Sequence, residues 1–320
     1  MRRIGVMTSG GDAPGMNAAV RAVVRRGIGR GVQITGIRRG YFGLLRREFE
    51  PLGPESVHDI IHRGGTMLLT ARCDEFLSAP GQRQGYDNLR AAGIDGLVCI
   101  GGDGSLSGAQ ALAALGLPVV GVPGTIDNDL AGTELTIGFD TAVNTAVEAV
   151  DRVRDTAAAH ERTFVVEVMG RHSGFIALAT GMACGAETIL VPEIPWSADA
   201  VCRRLRRGLE RGFRQNLIVL AEGAGHALEL GQLIQETTGL ETRVTILGHV
   251  QRGGSPTALD RNLAGRLGAA AVDLLLEGHH GLMTGLQGDL VVGVPLGTVV
   301  KARRSLDARR YDLAVTLSAG

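Results

Sequence analysis

The 320-residue sequence has almost no lysine and no excess charge of either sign. Lys301 is the only lysine among 33 basic residues, so arginine carries nearly all the positive charge. The net charge is zero at pH 7, which removes the electrostatic argument for binding nucleic acid or an anionic membrane. Arginine presents a planar fork of donors that suits phosphate, so local arginine clusters matter more than their total.

Cysteine pairs and long apolar runs are also missing. None of the four cysteines, Cys73, Cys99, Cys184 and Cys202, belongs to a C-x-x-C pair, which favours a reduced, intracellular protein. No apolar run approaches the length of a membrane span. The first predicted strand begins at Arg3 with no hydrophobic signal region before it, so we expect a cytoplasmic protein.

Several well-known catalytic motifs are absent as well. The sequence contains no G-x-x-x-x-G-K-[ST] phosphate loop, no G-x-G-x-x-G opening the first helix and no G-x-S-x-G nucleophile elbow. It also lacks the cysteine and histidine spacing of a metal site. A nucleotide, if bound, would therefore be held by backbone groups, arginine and Mg²⁺ rather than by a phosphate-loop lysine.

A glycine-rich stretch near residue 100 is the most informative part of the chain. The apolar run 97–100 predicts a buried strand, and the turn 101–105 leads from it into a predicted helix over 106–115, with Ser105 as its cap. Free backbone N–H groups before a helix bind phosphate. Asp103 suits a Mg²⁺ ion carried on phosphates, although an aspartate in a glycine turn is also common for purely structural reasons.

Strands alternate with helices along the chain, which predicts an α/β doubly wound fold. Further glycine loops, 8–15 and 123–129, follow predicted strands, and ligands bind at the carboxyl ends of parallel strands. We expect a change of structural unit near Phe139, a loop over 41–55, and Pro256 as the first residue of a long helix.

Acidic and basic side chains in these loops could carry phosphoryl chemistry. Asp127, Asn128 and Asp129 follow a strand, where an aspartate can accept a hydroxyl proton, although an Asx turn is the ordinary role of such residues. Arginines in loops or near strand ends suit phosphate oxygens, with surface salt bridges as the alternative. These arginines are Arg72, Arg162, Arg171, Arg243 and Arg252.

Five segments in this order resemble the bacterial ATP-dependent 6-phosphofructokinases over essentially the full length. These segments are 5–17, 101–105, 123–129, 169–174 and 248–255. The resemblance implies two doubly wound, mostly parallel-sheet, Rossmann-like domains with the active site in the cleft between them. The expected ATP-binding domain is 1–138 and 252–303, and the expected fructose-6-phosphate domain is 139–251 and 304–320.

The resemblance also implies transfer of the ATP γ-phosphoryl group to the 1-hydroxyl of fructose 6-phosphate, a step of glycolysis. The implied catalytic residues are Asp127 as the base, Arg171 and Arg72 as charge clamps, and Thr125. Asp103 is the implied Mg²⁺ ligand, with Asp129 near the same charges. The implied ATP site is Gly11, Arg72, Cys73, Gly102, Asp103, Gly104 and Ser105. The implied sugar-phosphate site is Thr125, Asp127, Arg162, Met169, Gly170, Arg171, Glu222, Arg243, His249 and Arg252.

The phosphoryl donor can be argued from two glycines. Pyrophosphate-dependent relatives carry Asp and Lys where this chain has Gly104 and Gly124. A carboxylate at position 104 would crowd and repel the α-phosphate of ATP, so the glycine favours ATP. NAD kinases and lipid kinases share the Gly-Gly-Asp-Gly loop but lack the 123–129 segment. A non-catalytic regulatory subunit is the other alternative, and the retained Asp103, Asp127 and Arg171 disfavour it.

Regulation and assembly are further implications of the resemblance. It implies a homotetramer in which Arg162 and Arg243 reach the 6-phosphate bound to a neighbouring subunit. It also implies a site between subunits for ADP or phosphoenolpyruvate. Residues that match that effector site are Arg21, Arg25, Asp59, Arg154, Gly185, Glu187 and Arg211. Because Pro54 and Phe213 replace common basic residues, and Gln215 is variable, we expect an altered response to anionic effectors.

Overall fold

The computed structural model describes residues 1–160, 162–213 and 215–318, with the side chains of 157–160 left aside. The strands are β1 (Arg3–Thr8), β2 (Gln33–Ile37), β3 (Phe49–Leu52), β4 (Gly96–Gly101), β5 (Val119–Pro123), β6 (Thr163–Val168), β7 (Thr188–Leu190), β8 (Asn216–Ala221), β9 (Thr242–Ile246), β10 (Leu282–Gln287) and β11 (Leu290–Pro295). The helices are α1 (Met16–Gly29), α2 (Gly40–Arg46), α3 (Ala79–Ala91), α4 (Asp103–Ala114), α5 (Phe139–His160), α6 (Phe175–Cys184), α7 (Ala198–Glu210), α8 (Ala227–Thr238), α9 (Ala258–Leu276), α10 (Leu296–Val299) and α11 (Ala308–Leu317).

These elements divide into two compact units. Unit 1 contains Met1–Ile126, Leu130–Thr141 and Arg252–Arg304, and unit 2 contains Asp127–Asp129, Ala142–Gln251 and Ser305–Gly320. Residues 161 and 214 and the final pair 319–320, all within the range expected for the second domain, lie outside the described residues. Which substrate each unit binds stays a prediction.

Unit 1 is built on a seven-stranded sheet in the order β11-β10-β5-β4-β1-β2-β3. The five central strands run parallel, and antiparallel strands β11 and β3 close the edges. All six residues of β4 are buried, as expected for a parallel strand covered on both faces. Thr8 lies beside Ile100 and Gly101 beside Pro123, so the loops after β1, β4 and β5 leave the sheet at one edge.

Unit 2 is built on a four-stranded, fully parallel sheet in the order β7-β8-β6-β9. Helices α7 and α8 pack on it through a buried cluster that includes Leu205, Ile218 and Ile234. Val168 lies beside Ala221, so the loops that follow β6 and β8 begin next to each other. The doubly wound α/β fold expected from the sequence is confirmed. Among the described residues, no helix is long and apolar enough to cross a bilayer.

The expected loop over 41–55 is wrong. Residues 40–46 form α2 and residues 49–52 form β3, which pairs antiparallel with β2. Tyr41 and Leu44 are buried in the core of unit 1, and this tertiary packing outweighs the local glycine and proline signals. Pro51 is tolerated because β3 is an edge strand.

Two predicted helix starts are also corrected. Helix α4 begins at Asp103 with Gly102 as its N-cap, so Ser105 lies inside the helix rather than capping it. Helix α9 begins at Ala258, and Thr257 caps it by accepting from the backbone N–H of Asp260, so Pro256 precedes the cap. Helix α7 is capped by Ser197, whose side chain accepts from the N–H of Ala200.

Candidate active site

In unit 1, the loop after β4 leads into helix α4, whose first backbone N–H groups have no side-chain cap. Gly102 has extended backbone, and no side chain caps the first turn of α4. Asp103 is exposed at the first helical position, where a carboxylate interacts favourably with the helix dipole. A Cβ at Gly104 would meet no atom within 4 Å. The loop therefore leaves open space around its donors, as a phosphate site requires.

The loop after β1 packs against it through backbone. The N–H of Ser9 donates to the carbonyl of Ile100 at 3.0 Å. A Cβ at Gly101 would lie 2.6 Å from the Ser9 carbonyl oxygen, so this close approach requires glycine. Gly10 adopts φ +82°, and its Cβ position is 2.9 Å from Ser105 Oγ. Buried Ser105 thus lies where the two predicted ATP loops meet.

Tyr41 is hydrogen-bonded to the first turn of α4, where these two loops meet. The sequence did not predict this contact. The hydroxyl of Tyr41 donates to the carbonyl of Ser105 at 2.6 Å, and its ring stacks on Phe76 with centroids 4.1 Å apart. Burial raises the pKa of Tyr41 well above its usual range and that of Cys99 to about 12, so both stay protonated. No sequence signal identified Tyr41, because it falls in the stretch expected to be a loop.

Arg72 and Arg252 of unit 1, both predicted to bind phosphate, have guanidinium groups that form no ion pair with the described residues. A Cβ at Gly11 would come 2.0 Å from Nη1 of Arg252, so the Arg252 side chain lies directly against the loop after β1. Its Nε is buried without a hydrogen-bond partner. Among the described residues Arg72 forms no ion pair, and it is exposed beside the partly buried Cys73. Ligand oxygens could occupy these donors at no cost in broken ion pairs.

Thr125 follows β5, and its side chain lies close to Gly102 in the loop after β4. A Cβ at Gly102 would be 3.4 Å from the Cβ of Thr125. The N–H of Thr125 donates to the carbonyl of Ile137 at 3.1 Å, and Thr136 Oγ1 donates to the carbonyl of Thr125 at 2.6 Å. The backbone of Thr125 is therefore fixed by the segment that leads into α5.

In unit 2 the predicted base, Asp127, lies on a tightly held turn. The residue is only 6% exposed, and the next residue, Asn128, adopts φ +53°. Ser173 Oγ lies within hydrogen-bonding distance of the carbonyls of Asp127, at 2.9 Å, and Gly170, at 3.1 Å. The hydroxyl of Ser173 thereby ties the turn to the loop after β6.

Glu222 holds the backbone of the predicted clamp Arg171. Its Oε1 accepts from the N–H groups of Gly170, at 3.1 Å, and Arg171, at 2.7 Å. Arg171 adopts φ +53°, and a Cβ at Gly223 would lie 2.2 Å from its carbonyl oxygen. The guanidinium of Arg171 is exposed and forms no ion pair within the described part of the chain. A strained backbone thus presents an available cation.

Gln251 is a second residue that the sequence analysis did not single out. Its Oε1 accepts from the N–H of Met169 at 2.8 Å, and the side chain is completely buried. His249, two residues earlier, is exposed. Gln251 thus fixes the start of the loop after β6, whereas His249 is available to a ligand.

The other two predicted sugar-phosphate residues of unit 2 converge on one carboxylate. Arg162 Nε lies 2.9 Å from Glu241 Oε1, and Arg243 pairs with the same oxygen. The two guanidinium groups are therefore brought together, as binding of one phosphate by both would require.

The predicted effector residues fall into two sets. Arg21, Arg25 and Asp59 belong to unit 1, where Arg25 Nη2 donates to the carbonyl of Pro54 at 3.3 Å. In unit 2, a pocket of about 300 Å³ is lined by Arg154, Gly185, Glu187 and Gln215, together with four further residues. Arg211 and Phe213 line an adjoining pocket of about 340 Å³, which shares Glu187 and Gln215.

The donor set fits a metal ion that arrives on a nucleotide. Within the described residues, no group of three or more His, Cys, Asp or Glu side chains could form a protein-only metal centre. A single exposed carboxylate, Asp103, lies at the start of α4, where no side chain caps the helix. Mg²⁺ is commonly held by one or two carboxylates plus substrate phosphates and water, which matches this arrangement.

Known proteins share both the sequence and the fold. The family model described as phosphofructokinase matches residues 3–275. The ATP-dependent 6-phosphofructokinase of Bacillus pumilus is 57% identical over 318 residues, covering 99% of this chain and all of that protein. The enzyme of the same name from Bacillus subtilis is 55% identical over 318 residues, with the same coverage of both chains.

Solved structures give the same result. The phosphofructokinase of Saccharomyces cerevisiae superimposes with a TM-score of 0.87 at 40% identity, covering 99% of this chain and 47% of that longer chain. The pyrophosphate-dependent phosphofructokinase of Marinobacter aquaeolei also gives 0.87 at 23% identity, covering 100% and 92%, and this likeness shows the fold alone. With the family model matching most of its length, the chain belongs to the phosphofructokinase family.

Proposed function

We propose that this protein transfers the γ-phosphoryl group of MgATP to the 1-hydroxyl of fructose 6-phosphate, giving fructose 1,6-bisphosphate and ADP. The observation that carries the proposal is the 57% identity to an ATP-dependent 6-phosphofructokinase along its whole length. The reaction breaks the bond between the γ-phosphorus and the bridging oxygen of ADP and forms one to O1 of the sugar. The hydroxyl proton passes to Asp127.

The loops of unit 1 bind the nucleotide in this proposal. Backbone N–H groups at the start of α4 and in the loop after β1 donate to the phosphates, and the glycines keep the approach open. Arg72 contributes positive charge, and Cys73 beside it lines the site. The open position at Gly104 accommodates the α-phosphate and nucleoside of ATP.

The loops of unit 2 bind and activate the acceptor sugar. Asp127 accepts the proton as O1 attacks, and its low exposure keeps water from competing for the carboxylate. Arg171 and Arg72 neutralise charge on the transferring phosphoryl group, whose loose transition state needs positioning more than covalent help. The residues proposed to bind the sugar and its 6-phosphate are Met169, Gly170, Glu222, His249, Arg162 and Arg243 of unit 2 and Thr125 and Arg252 of unit 1.

Asp103 would hold Mg²⁺, directly or through water. When bound, the ion shields the charge of the β- and γ-phosphates and so favours transfer. The carboxylate itself discriminates against phosphate lacking a cation, because an exposed negative charge at the helix start repels a bare phosphate oxygen.

A coupled assay tests the function directly. Purified protein is supplied with fructose 6-phosphate and either ATP or pyrophosphate, with Mg²⁺ present, and fructose 1,6-bisphosphate is measured. We expect turnover with ATP and none above background with pyrophosphate. Turnover with pyrophosphate alone would replace the donor assignment, and turnover with neither would remove the proposed function.

Regulation and assembly extend the proposal. We infer a cytoplasmic glycolytic homotetramer whose neighbouring subunits share Arg162 and Arg243, and whose effector sites lie between subunits. Pro54 and Phe213 offer no cation, so the remaining arginines alone would bind an anionic effector. Sedimentation gives the assembly, and titrating ADP and phosphoenolpyruvate against fructose 6-phosphate saturation gives the response. Strong inhibition by phosphoenolpyruvate would contradict the weakened site.

A further inference from the structure

Asp260, on α9 in unit 1, is a fully buried carboxylate that the catalytic scheme does not use. Its Oδ1 accepts from the N–H of Gly138 at 2.8 Å. Its Oδ2 accepts from the N–H of Thr141 at 2.8 Å and from Thr141 Oγ1 at 2.5 Å. Burial raises the pKa of this carboxyl, and the three donors oppose that rise. A buried acid with this many donors has a specific task.

Its task is to cap a helix from another part of the chain. Helix α5 begins at Phe139, so the N–H groups of Gly138 and Thr141 are among those that lack a partner within the helix. Asp260 satisfies both of them. Thr141 Oγ1 also accepts from the N–H of Thr257, which is the N-cap of α9. The starts of α5 and α9 are thereby tied together.

The residues just before the start of α5, 136–137, are hydrogen-bonded to the loop that contains Thr125. The carbonyl of Ile137 accepts from the N–H of Thr125 at 3.1 Å, and the N–H of Ile137 donates to the carbonyl of Pro123 at 2.9 Å. Thr136 Oγ1 adds a bond of 2.6 Å to the carbonyl of Thr125. The residue that bonds to the Thr125 loop, Ile137, is thus directly followed by Gly138, which makes the first bond to Asp260.

The loop after β1 rests on the same place. A Cβ at Gly15 would lie 2.7 Å from Ile137 Cγ2 and 3.6 Å from the Cβ of Asp260. Gly15 has φ +105° and is the N-cap of α1, at the end of the predicted glycine loop 8–15. Asp260 is therefore packed where the bases of two predicted site loops meet.

We propose that Asp260 is a positioning residue that sets the backbone of the Thr125 loop through the capped start of α5. The kinetic part of this proposal, a change in kcat, rests on the proposed function. In Asp260→Asn the amide has one acceptor oxygen and places N–H donors against the donors of Gly138 or Thr141. The cap then loosens, and the 136–138 segment no longer holds Pro123 and Thr125 in register.

The kinetic test is a comparison of Asp260→Asn with Asp273→Asn, both on α9. Asp273 pairs with Arg26 and Arg30 on the surface, so its loss tests the α1–α9 packing alone. We expect Asp260→Asn to lower kcat between about tenfold and about a hundredfold, as misplacement by about an ångström does. We expect the KM for ATP to change less than kcat, because Asp260 hydrogen-bonds Gly138 and Thr141 and only packs near Gly15 at the end of the loop after β1. The Asp273 variant keeps its kcat.

A second measurement needs no activity. Hydrogen–deuterium exchange without substrates should show loss of protection at residues 137–141 and also at 123–125 in Asp260→Asn, but not in Asp273→Asn. Thr141→Val should shift both readouts in the same direction, and Thr141→Ser, which keeps the hydroxyl, should stay near wild type. These variants serve if Asp260→Asn does not fold.

Unchanged protection at 123–125 in the Asp260 and Thr141→Val variants would overturn the proposal whatever the enzyme's reaction is. An unchanged kcat in a variant whose protection is lost would overturn the link to Thr125. If wild type shows no phosphoryl transfer, the proposed function fails, whereas the exchange result still tests the positioning.

Discussion

The α4 loop of unit 1, residues 101–105, and the clamp loop of unit 2, residues 169–174, use glycine in opposite ways. A Cβ at Gly104 would point into empty space, whereas a Cβ at Gly170 would lie 2.4 Å from the Ser173 carbonyl oxygen. Gly170 also has φ +143°, a conformation that L side chains rarely adopt. One glycine leaves room for a ligand, and the other lets the chain pack on itself.

This difference separates two ways of building a phosphoryl-transfer site. In the α4 loop, no side chain caps the backbone donors at the start of the helix, and such donors suit a phosphate. In the clamp loop, the N–H groups of Met169, Gly170 and Arg171 donate to Gln251 and Glu222, whereas the Arg171 side chain is exposed. Changes in the first loop should therefore alter nucleotide use, and changes in the second should alter stability and turnover together.

The largest effect is expected from Asp127→Asn, which removes the proposed base from the unit 2 loops. We expect kcat to fall by about 10²–10⁴-fold, the usual contribution of a general base, with little change in either KM. Steady-state kinetics measures this. Asp289→Asn, a change at a fully exposed carboxylate that pairs with Arg266, is the control and should keep wild-type kcat. A kcat of Asp127→Asn within threefold of wild type would remove the assignment.

Gly104→Asp should separate nucleotide use from folding. The open space accepts the side chain, and an acid in the first helical turn is favourable, so thermal unfolding should hardly change. The KM for ATP should rise at least about tenfold, because in the proposed site the added carboxylate would crowd and repel the α-phosphate. Gly104→Asn fills similar volume without charge and is the matched control. Equal ATP kinetics in wild type and Gly104→Asp would refute Gly104 as the donor selector.

Adding one methyl group tests the comparison most directly. Gly170→Ala should lower the free energy of unfolding by roughly 1–3 kcal/mol, through strained backbone and the clash with Ser173. Gly104→Ala should stay within about 0.5 kcal/mol of wild type. Denaturant unfolding at one protein concentration measures both. Similar losses in the two variants would show that the loops do not differ as described.

The smallest change is in thiol reactivity. Cys73 is partly exposed, whereas Cys99, Cys184 and Cys202 are buried. Burial raises the pKa of Cys99 to about 12 and that of Cys184 to about 11, so near pH 8 their reactive thiolate fractions stay small. A disulfide reagent should therefore label Cys73 first.

Saturating MgATP should slow that labelling severalfold, and Cys73→Ser should abolish the fast phase. Fructose 6-phosphate alone is the control ligand and should leave the rate unchanged. A labelling rate indifferent to MgATP would argue against Cys73 lining the nucleotide site.

Elements with strong local patterns were predictable from the sequence. The apolar run at 97–100 predicted β4, which spans Gly96–Gly101. Elements that depend on distant partners were not. Strand β10 pairs with β5 more than 160 residues away, and α2 is helical because Tyr41 and Leu44 bury against the core.

The site divides along the same line. Glycine, Asp and Arg at strand ends identified the loops, because those residue types have chemistry that shows in a sequence. The supporting residues Tyr41, Gln251 and Asp260 carried no such signal, since each acts through a hydrogen bond to the backbone of a remote segment. Position 104 was marked by the sequence, and only the structure shows the open space beside it.

By itself, the sequence determined the α/β class, the absence of a phosphate-loop lysine and the order of the five motif segments. Tertiary structure decided which donors stay available: it buried Asp260 and Gln251, tied Glu222 to the backbone, and left Arg72 and Arg171 without ion pairs among the described residues. The physical reason is that residue type fixes what a group can donate or accept, whereas only packing fixes whether a partner already occupies it.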